Sequence, residues 1–187
     1  MKFGAYYGGS SKRSMKNLDL ANKRKNAWGT GLIFNHEIDS IQNVTVAAGF
    51  TREISENGNN TSLFRNAYGL GLAYNFVHTT YGVDLERQVT KNQGDKRIKN
   101  EVRAVIRQGL NEDWNVYAMY AYKTDKHSNN TDRTRQFMVG TEYYVFNQGS
   151  LKVKPFLEWQ ATRTKYENSA VDRSRDFKTV IGLRAYW

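Results

Sequence analysis

Three cations spaced four residues apart, Lys99, Arg103 and Arg107, sit in a stretch whose polarity alternates residue by residue, so an extended chain places all three on one side. The same parity, followed along the sequence, adds Arg65, Lys123, Lys152, Lys154, Lys178 and Arg184. Arginine presents a planar fork that grips a carboxylate through two parallel hydrogen bonds, and a file of such groups can hand an acidic solute from one to the next. Tracks of arginine and lysine are also how pores select anions. Carboxylates share that parity: Asp84, Glu86, Glu101, Glu142 and Glu158, with Glu53, Asp125 and Asp176 beside them. Asp84 and Glu86 belong to the strand next to Lys99, Arg103 and Arg107, so mutual neutralisation across strands is the second chemistry open to these cations. The spacing fits a track for anions and a set of structural ion pairs alike.

Other chemistries have less to build on. His36 and His78 fall in expected turns at one end of the strands and His127 in an expected loop at the other, so the histidines cannot share a metal. His127 with Asp125 and Asp132 has the residue types of a general base and its orienting carboxylate, but an isolated loop histidine is more commonly just hydrated. Gly69-Leu70-Gly71 lacks the helix and third glycine of a phosphate-binding turn and reads as a strand feature. Basic residues spread over most strands rather than one patch, which speaks against nucleic acid as a partner. The expectation is a protein without catalysis, cofactor or metal.

Strands must position these residues. Phe177, Thr179, Ile181, Leu183, Ala185 and Trp187 alternate with Lys178, Val180, Gly182, Arg184 and Tyr186. Ile98, Val102, Ala104, Ile106 and Leu110 likewise oppose Lys99, Glu101, Arg103 and Arg107, and Leu151, Val153, Leu157, Trp159 and Ala161 oppose Lys152, Lys154, Glu158, Gln160 and Thr162. Period-two alternation is the mark of a strand with one apolar face. A last strand that runs into Trp187 without a fraying tail is expected to be held along its length, as in a closed barrel. About ten strands are predicted, near 2–9, 25–35, 41–54, 62–76, 79–91, 97–110, 113–125, 133–146, 151–164 and 173–187.

With 187 residues, a formal charge of +10, no cysteine and one proline, the chain reads as a single domain spanning 1–187. Its mean hydropathy is −0.74. No apolar run approaches the roughly 18 to 20 residues of a membrane helix, but an outer-membrane strand needs only about 9 to 11, every second one apolar. The residues from Met1 to Tyr7 lack the apolar stretch of a signal peptide, so an exported protein of this sequence would be a mature or shortened form.

The expected connections sort into two kinds. Ser10 to Arg24, Ser55 to Thr61, Asn92 to Lys96, Lys126 to Asp132 and Lys165 to Asp172 read as polar loops. His36 to Ser40, Val77 to His78, Asn111 to Glu112 and Asn147 to Ser150 read as tight turns. Long loops on one side and short turns on the other is the outer-membrane pattern, with the turns periplasmic. Gly29, Gly31, Gly49, Gly69 and Gly71 fall on the charged face, where they either relieve bending or clear space. Tyr74, Phe76, Tyr81, Trp114, Tyr143 and Trp187 suit an aromatic girdle on the turn side, and Trp28, Phe64 and Tyr122 one on the loop side.

The closing segment from Asp172 to Trp187 resembles the last strand of the oligogalacturonate-specific porin family, whose relatives include the sialic-acid porin. Asn100-Glu101-Val102-Arg103-Ala104, followed by Leu110-Asn111-Glu112-Asp113-Trp114, is similar to that family's strand, Asn-Trp turn and strand. The resemblance implies an all-β transmembrane up-and-down barrel in the bacterial outer membrane. It also implies a monomeric channel for anionic oligosaccharides or small anions, bounded by membrane lipid and lipopolysaccharide. The family has twelve strands, and Met1 to Gly9 looks like its third, so a first hairpin is expected to be missing. Fewer strands mean a narrower barrel. A non-conducting barrel with a structural or surface-interaction role is the alternative.

Overall fold

The computed structural model describes residues 1–9, 22–57, 62–92, 94–148, 151–167 and 172–186, and among them it contains strands and turns but no helix. The strands are β1 (Lys2–Gly9), β2 (Asn22–Asp39), β3 (Gln42–Asn57), β4 (Ser62–Phe76), β5 (Thr79–Asn92), β6 (Asp95–Gly109), β7 (Trp114–His127), β8 (Asn130–Tyr143), β9 (Phe146–Gln148), β10 (Leu151–Lys165) and β11 (Arg173–Tyr186). They form one antiparallel sheet in the order β1-β2-β3-β4-β5-β6-β7-β8-β10-β11, with the short β9 on β10. The up-and-down order and the long strands are those read from the alternation. β9 was not expected, because three residues are too few to show a period. β1 and β11 are the sheet's edges, each with one hydrogen-bonded neighbour among the described residues.

Several connections are shorter than their composition implied. Asn92 to Lys96 is mostly strand, because β5 runs to Asn92 and β6 starts at Asp95, joined through Gly94 at φ +93°. Lys126 to Asp132 is likewise paired up to His127 and from Asn130, across a turn in which Ser128 has φ 53°. His36 belongs to β2, whose turn follows Asp39. There the carboxylate accepts the Ile41 N–H at 2.9 Å and the Gln42 amide at 2.8 Å. The contrast between long loops and short turns therefore fails at two of its five expected loops. Polar side chains mark solvent rather than irregular backbone, and a strand end exposed to water accepts them. Residues 10–21, 58–61 and 168–171, which include most of the remaining expected loops, lie outside the described residues, as does Trp187.

Register keeps one parity from β1 to β11. Leu32, Ala48, Leu70, Leu85 and Val102 are directly paired across β2 to β6, and their row continues through Tyr122 to Arg135, Arg163 and Arg175. A row that begins mid-strand at Leu32 and ends near the start of β11 means that the strands are staggered, as tilted strands must be. On the opposite side the corresponding row carries Gly71, Asp84, Arg103, Ala121, Gln136, Thr162 and Asp176.

The two faces are unlike, and the large apolar residues are not inside. Among the described residues only Ala27 and Ala121 are buried hydrophobics, while Leu72, Val102, Phe137 and Leu157 each expose more than two fifths of their surface. Polar groups take the buried places: Ser55, Glu142 and Lys154. Burial of apolar surface, the usual driving force, is largely absent between the protein's own elements. Aromatics gather on the apolar face. Trp28, Phe50 and Tyr68 form a chain with centroids 5.1 and 5.0 Å apart, and Trp159 stacks on Phe177 at 6.1 Å. Tyr74, Phe76, Tyr81, Trp114, Tyr143, Phe64 and Tyr122 share this face.

Glycines of the charged face divide into two kinds. Gly140 lies under its cross-strand partner Tyr117, whose ring comes within 2.5 Å of where a Cβ would stand, and Gly182 lies under Phe156 in the same way. Tyr117 is further held by a 2.6 Å hydrogen bond to Glu158, so its ring cannot swing aside freely. Gly69, by contrast, has nothing within 4 Å of a Cβ position. Gly140→Ala should therefore destabilise by about 1–3 kcal/mol through overpacking. Gly69→Ala should be neutral or stabilising by up to about 1 kcal/mol. Equilibrium unfolding of both variants checks this, and the reverse order would contradict the described packing.

Candidate functional site

The charged face has a bare half and a filled half. Gly4, Gly31, Gly49 and Gly69 are directly paired across β1 to β4, making an unbroken cross-strand row without side chains. Built Cβ atoms at Gly4 and Gly69 would meet nothing within 4 Å, and those at Gly31 and Gly49 only a carbonyl oxygen at 3.6 and 3.8 Å. The row is thus not a place where another group packs against the backbone. In this row the glycines leave open space on the charged face. A cavity of about 890 Å³ lies along it, bordered at its far side by Asp84, Glu86, Glu101 and Arg103. Gly29 differs, being covered by the ring of Tyr6.

Charge fills the half from β5 to β11. Arg103 donates to Glu101 at 2.8 Å and lies 3.9 Å from Asp84, and Lys123 approaches Glu101 at 3.2 Å. Nearer the strand ends Asp125 accepts both arms of Arg97, at 2.7 and 2.5 Å, with Lys99 at 3.5 Å. Arg65 reaches Glu53 at 3.4 Å. The densest cluster centres on Glu142, which is 3% exposed. Lys154 and Arg184 each donate to it at 2.9 Å and Arg107 also pairs with it. Arg184 continues to Glu158 at 2.8 Å, where Tyr117 donates at 2.6 Å. The Arg184 guanidinium lies 4.2 Å over the Phe156 ring, and the Lys154 ammonium 4.9 Å over Tyr144. Buried charges persist only when paired and hydrogen-bonded, and here one carboxylate receives cations from β6, β10 and β11.

Lys99, Arg103 and Arg107 share one face of β6, but each is bound to a different carboxylate, so they form three paired sites rather than a free file. Asp84 takes the neutralising part expected of it, whereas Glu86 has no ion-pair partner among the described residues and stands opposite Glu101. Lys152 and Lys178 also lack a carboxylate within salt-bridge distance among the described residues, and both are exposed. Across the face, arginines and lysines are matched nearly one for one by carboxylates. Sequence reasoning missed Arg97, Tyr117 and Phe156, although all three carry the correct parity. The two carboxylates grouped with His127 are otherwise engaged: Asp125 is committed to Arg97 and Lys99, and Asp132 accepts the Glu167 N–H at 3.1 Å. No group of three metal-ligating side chains occurs among the described residues.

Such a face can accommodate a solute along the bare row, with the exposed side of Arg103 at its border. Glu142→Gln should destabilise by about 3–5 kcal/mol, because it leaves Lys154 buried without its counter-charge. Glu86→Gln, which breaks no ion pair, should stay within about 0.5 kcal/mol. Denaturation midpoints test the contrast, and equal effects would show that the Glu142 cluster carries no special weight. No protein-family model matches the chain, and no curated protein matches its sequence, so geometry alone bears on what this face does.

Proposed function

We propose that the chain is an outer-membrane channel, related to the oligogalacturonate-specific porins, that takes up anionic oligosaccharides or other small anions. The observation that carries this reading is the inverted distribution of side chains among the described residues: large apolar groups on one face with little to cover them, and a charged face with an open glycine row. An apolar band of that kind suits hydrocarbon, and the alternating strands suit a bilayer-spanning sheet. A spanning sheet must also satisfy its edge groups, because an unpaired N–H or C=O in hydrocarbon costs several kcal/mol. β1 and β11 are accordingly expected to be paired in the membrane, which closes the lumen around the glycine row.

Selectivity would come from fixed charge in a confined space, where field lines are less screened than in bulk water. Because most cations of the charged face are paired, the preference for anions rests on Lys152 and Lys178, which have no ion-pair partner among the described residues, and on the exposed side of Arg103. A second reading, a non-conducting barrel with a structural or surface role, draws on the same pairing, since the Glu142 cluster narrows the space between β6 and β11.

Two measurements test these statements. Leu157→Arg or Val102→Arg should cost about 2–4 kcal/mol in reversible unfolding from lipid, and Thr162→Arg on the opposite face distinctly less. Similar costs on both faces, or a detergent-free monomer, would remove the membrane reading. In planar bilayers, Lys152→Glu with Lys178→Glu should move the reversal potential in a salt gradient towards cations, and Gly49→Trp with Gly69→Trp should lower the single-channel current. A wild-type protein that inserts but passes no current returns the chain to the non-conducting reading.

A further inference from the structure

Among the described residues the charged face contributes almost no net charge, because its cations and carboxylates nearly cancel. The cationic excess of the described residues lies on the apolar face, at the end of the sheet that holds the β5–β6 and β7–β8 turns. From β4 to β11 that face carries no aspartate or glutamate. Its cations gather at one end, first Arg87, Lys91, Lys96 and Lys126, then a dense group contributed by β8, β10 and β11. The spread of basic residues seen along the sequence is therefore a collar in space.

The dense group comes from three short repeats: Arg133-Thr134-Arg135, Arg163-Thr164-Lys165 and Arg173-Ser174-Arg175. Arg163 pairs directly with Arg135 on one side and Arg175 on the other, and Lys165 pairs with Arg133 and Arg173. Like charges placed directly opposite each other destabilise a sheet. On the charged face the arginines are offset by carboxylates, yet none of these six has an ion-pair partner among the described residues, and all six are exposed. A space of about 280 Å³ opens among Tyr122, Arg133, Arg135, Arg163, Lys165 and Arg173. Neighbouring strands stand about 4.8 Å apart and same-face residues about 6.8 Å apart, so one tetrahedral anion can touch cations of two strands at once. The next residues down the same face are Phe137, Ala161 and Phe177, with Trp159 stacked on Phe177.

We propose that this collar is a binding site for the phosphate groups of a phosphorylated glycolipid, the lipopolysaccharide of the surrounding outer leaflet. The phosphates replace the missing carboxylates, while the acyl chains lie along the aromatic and aliphatic band directly below. That adjacency on one face favours a lipid over free phosphate or a nucleic acid. The inference rests on the membrane-spanning reading but does not depend on conduction.

The test uses the full chain in detergent, titrated with bis-phosphorylated lipid A, its dephosphorylated form, inorganic phosphate and a short oligonucleotide. Lipid A should bind at least about tenfold more tightly than each of the other three, and Arg135→Gln with Arg163→Gln and Arg175→Gln should weaken it by about tenfold or more. Arg163→Gln alone, by relieving repulsion from both neighbours, should leave the lipid-free protein at least as stable as wild type. Equal affinity for the dephosphorylated lipid, for phosphate or for the oligonucleotide overturns the proposal. So does wild-type affinity in the triple variant, or a lipid-free Arg163→Gln protein less stable than wild type. Failure of the membrane reading would be seen separately, as a wild-type chain that does not enter lipid vesicles.

Discussion

Cross-strand register is the constraint on which the rest of this structure depends. Successive side chains point to opposite faces, so slipping one strand by a single residue would exchange its two sets. In β6 such a slip would turn Val102, Ala104 and Ile106 towards the charges and Arg103 and Arg107 towards the apolar band. Every ion pair from Arg65 to Arg184 and every row of aromatics presupposes that no such slip occurs. The irregularities that do occur lie in β2, between Arg24 and Asn26 and between Glu37 and Asp39, near the strand's ends. Parity through the middle of the sheet is untouched.

With almost no buried apolar core among the described residues, register is fixed largely on the charged face. Cross-strand charge pairs on one face and glycines roofed by Tyr117 and Phe156 on the other residues of the same face both punish misalignment. Tyr117 can cover Gly140 and reach Glu158 only in the observed alignment of β7, β8 and β10. Glycine thus has two uses in one sheet. Beneath an aromatic ring it locks neighbouring strands together, and in the row from Gly4 to Gly69 it leaves open space.

The strands and their faces were legible in the sequence because alternation is a local property, visible within a few residues. Pairing partners were not. Which carboxylate meets Arg107 depends on the stagger between strands that are far apart in sequence, and Glu142 is 35 residues away. The ends of β5 and β7 were misjudged because asparagine, lysine and aspartate mark both loops and wet strand ends. The basic collar was hidden for another reason. Three Arg-x-Arg or Arg-x-Lys repeats are visible in the sequence, but only antiparallel pairing brings the end of β10 beside the starts of β8 and β11.

The Glu142 cluster also bears on the order of events as the chain folds. Its members come from β6, β7, β8, β10 and β11, so it is complete only when the last strand has docked. Until then Glu142 faces fewer cations, and neither Glu158 nor the Phe156 ring has its guanidinium from Arg184. Strand β11 is therefore a latch: its arrival completes a network of long sequence separation, and such contacts form late because loop closure precedes their gain. Loss of β11 would reverse that step and take Arg184 from both Glu142 and Glu158 at once.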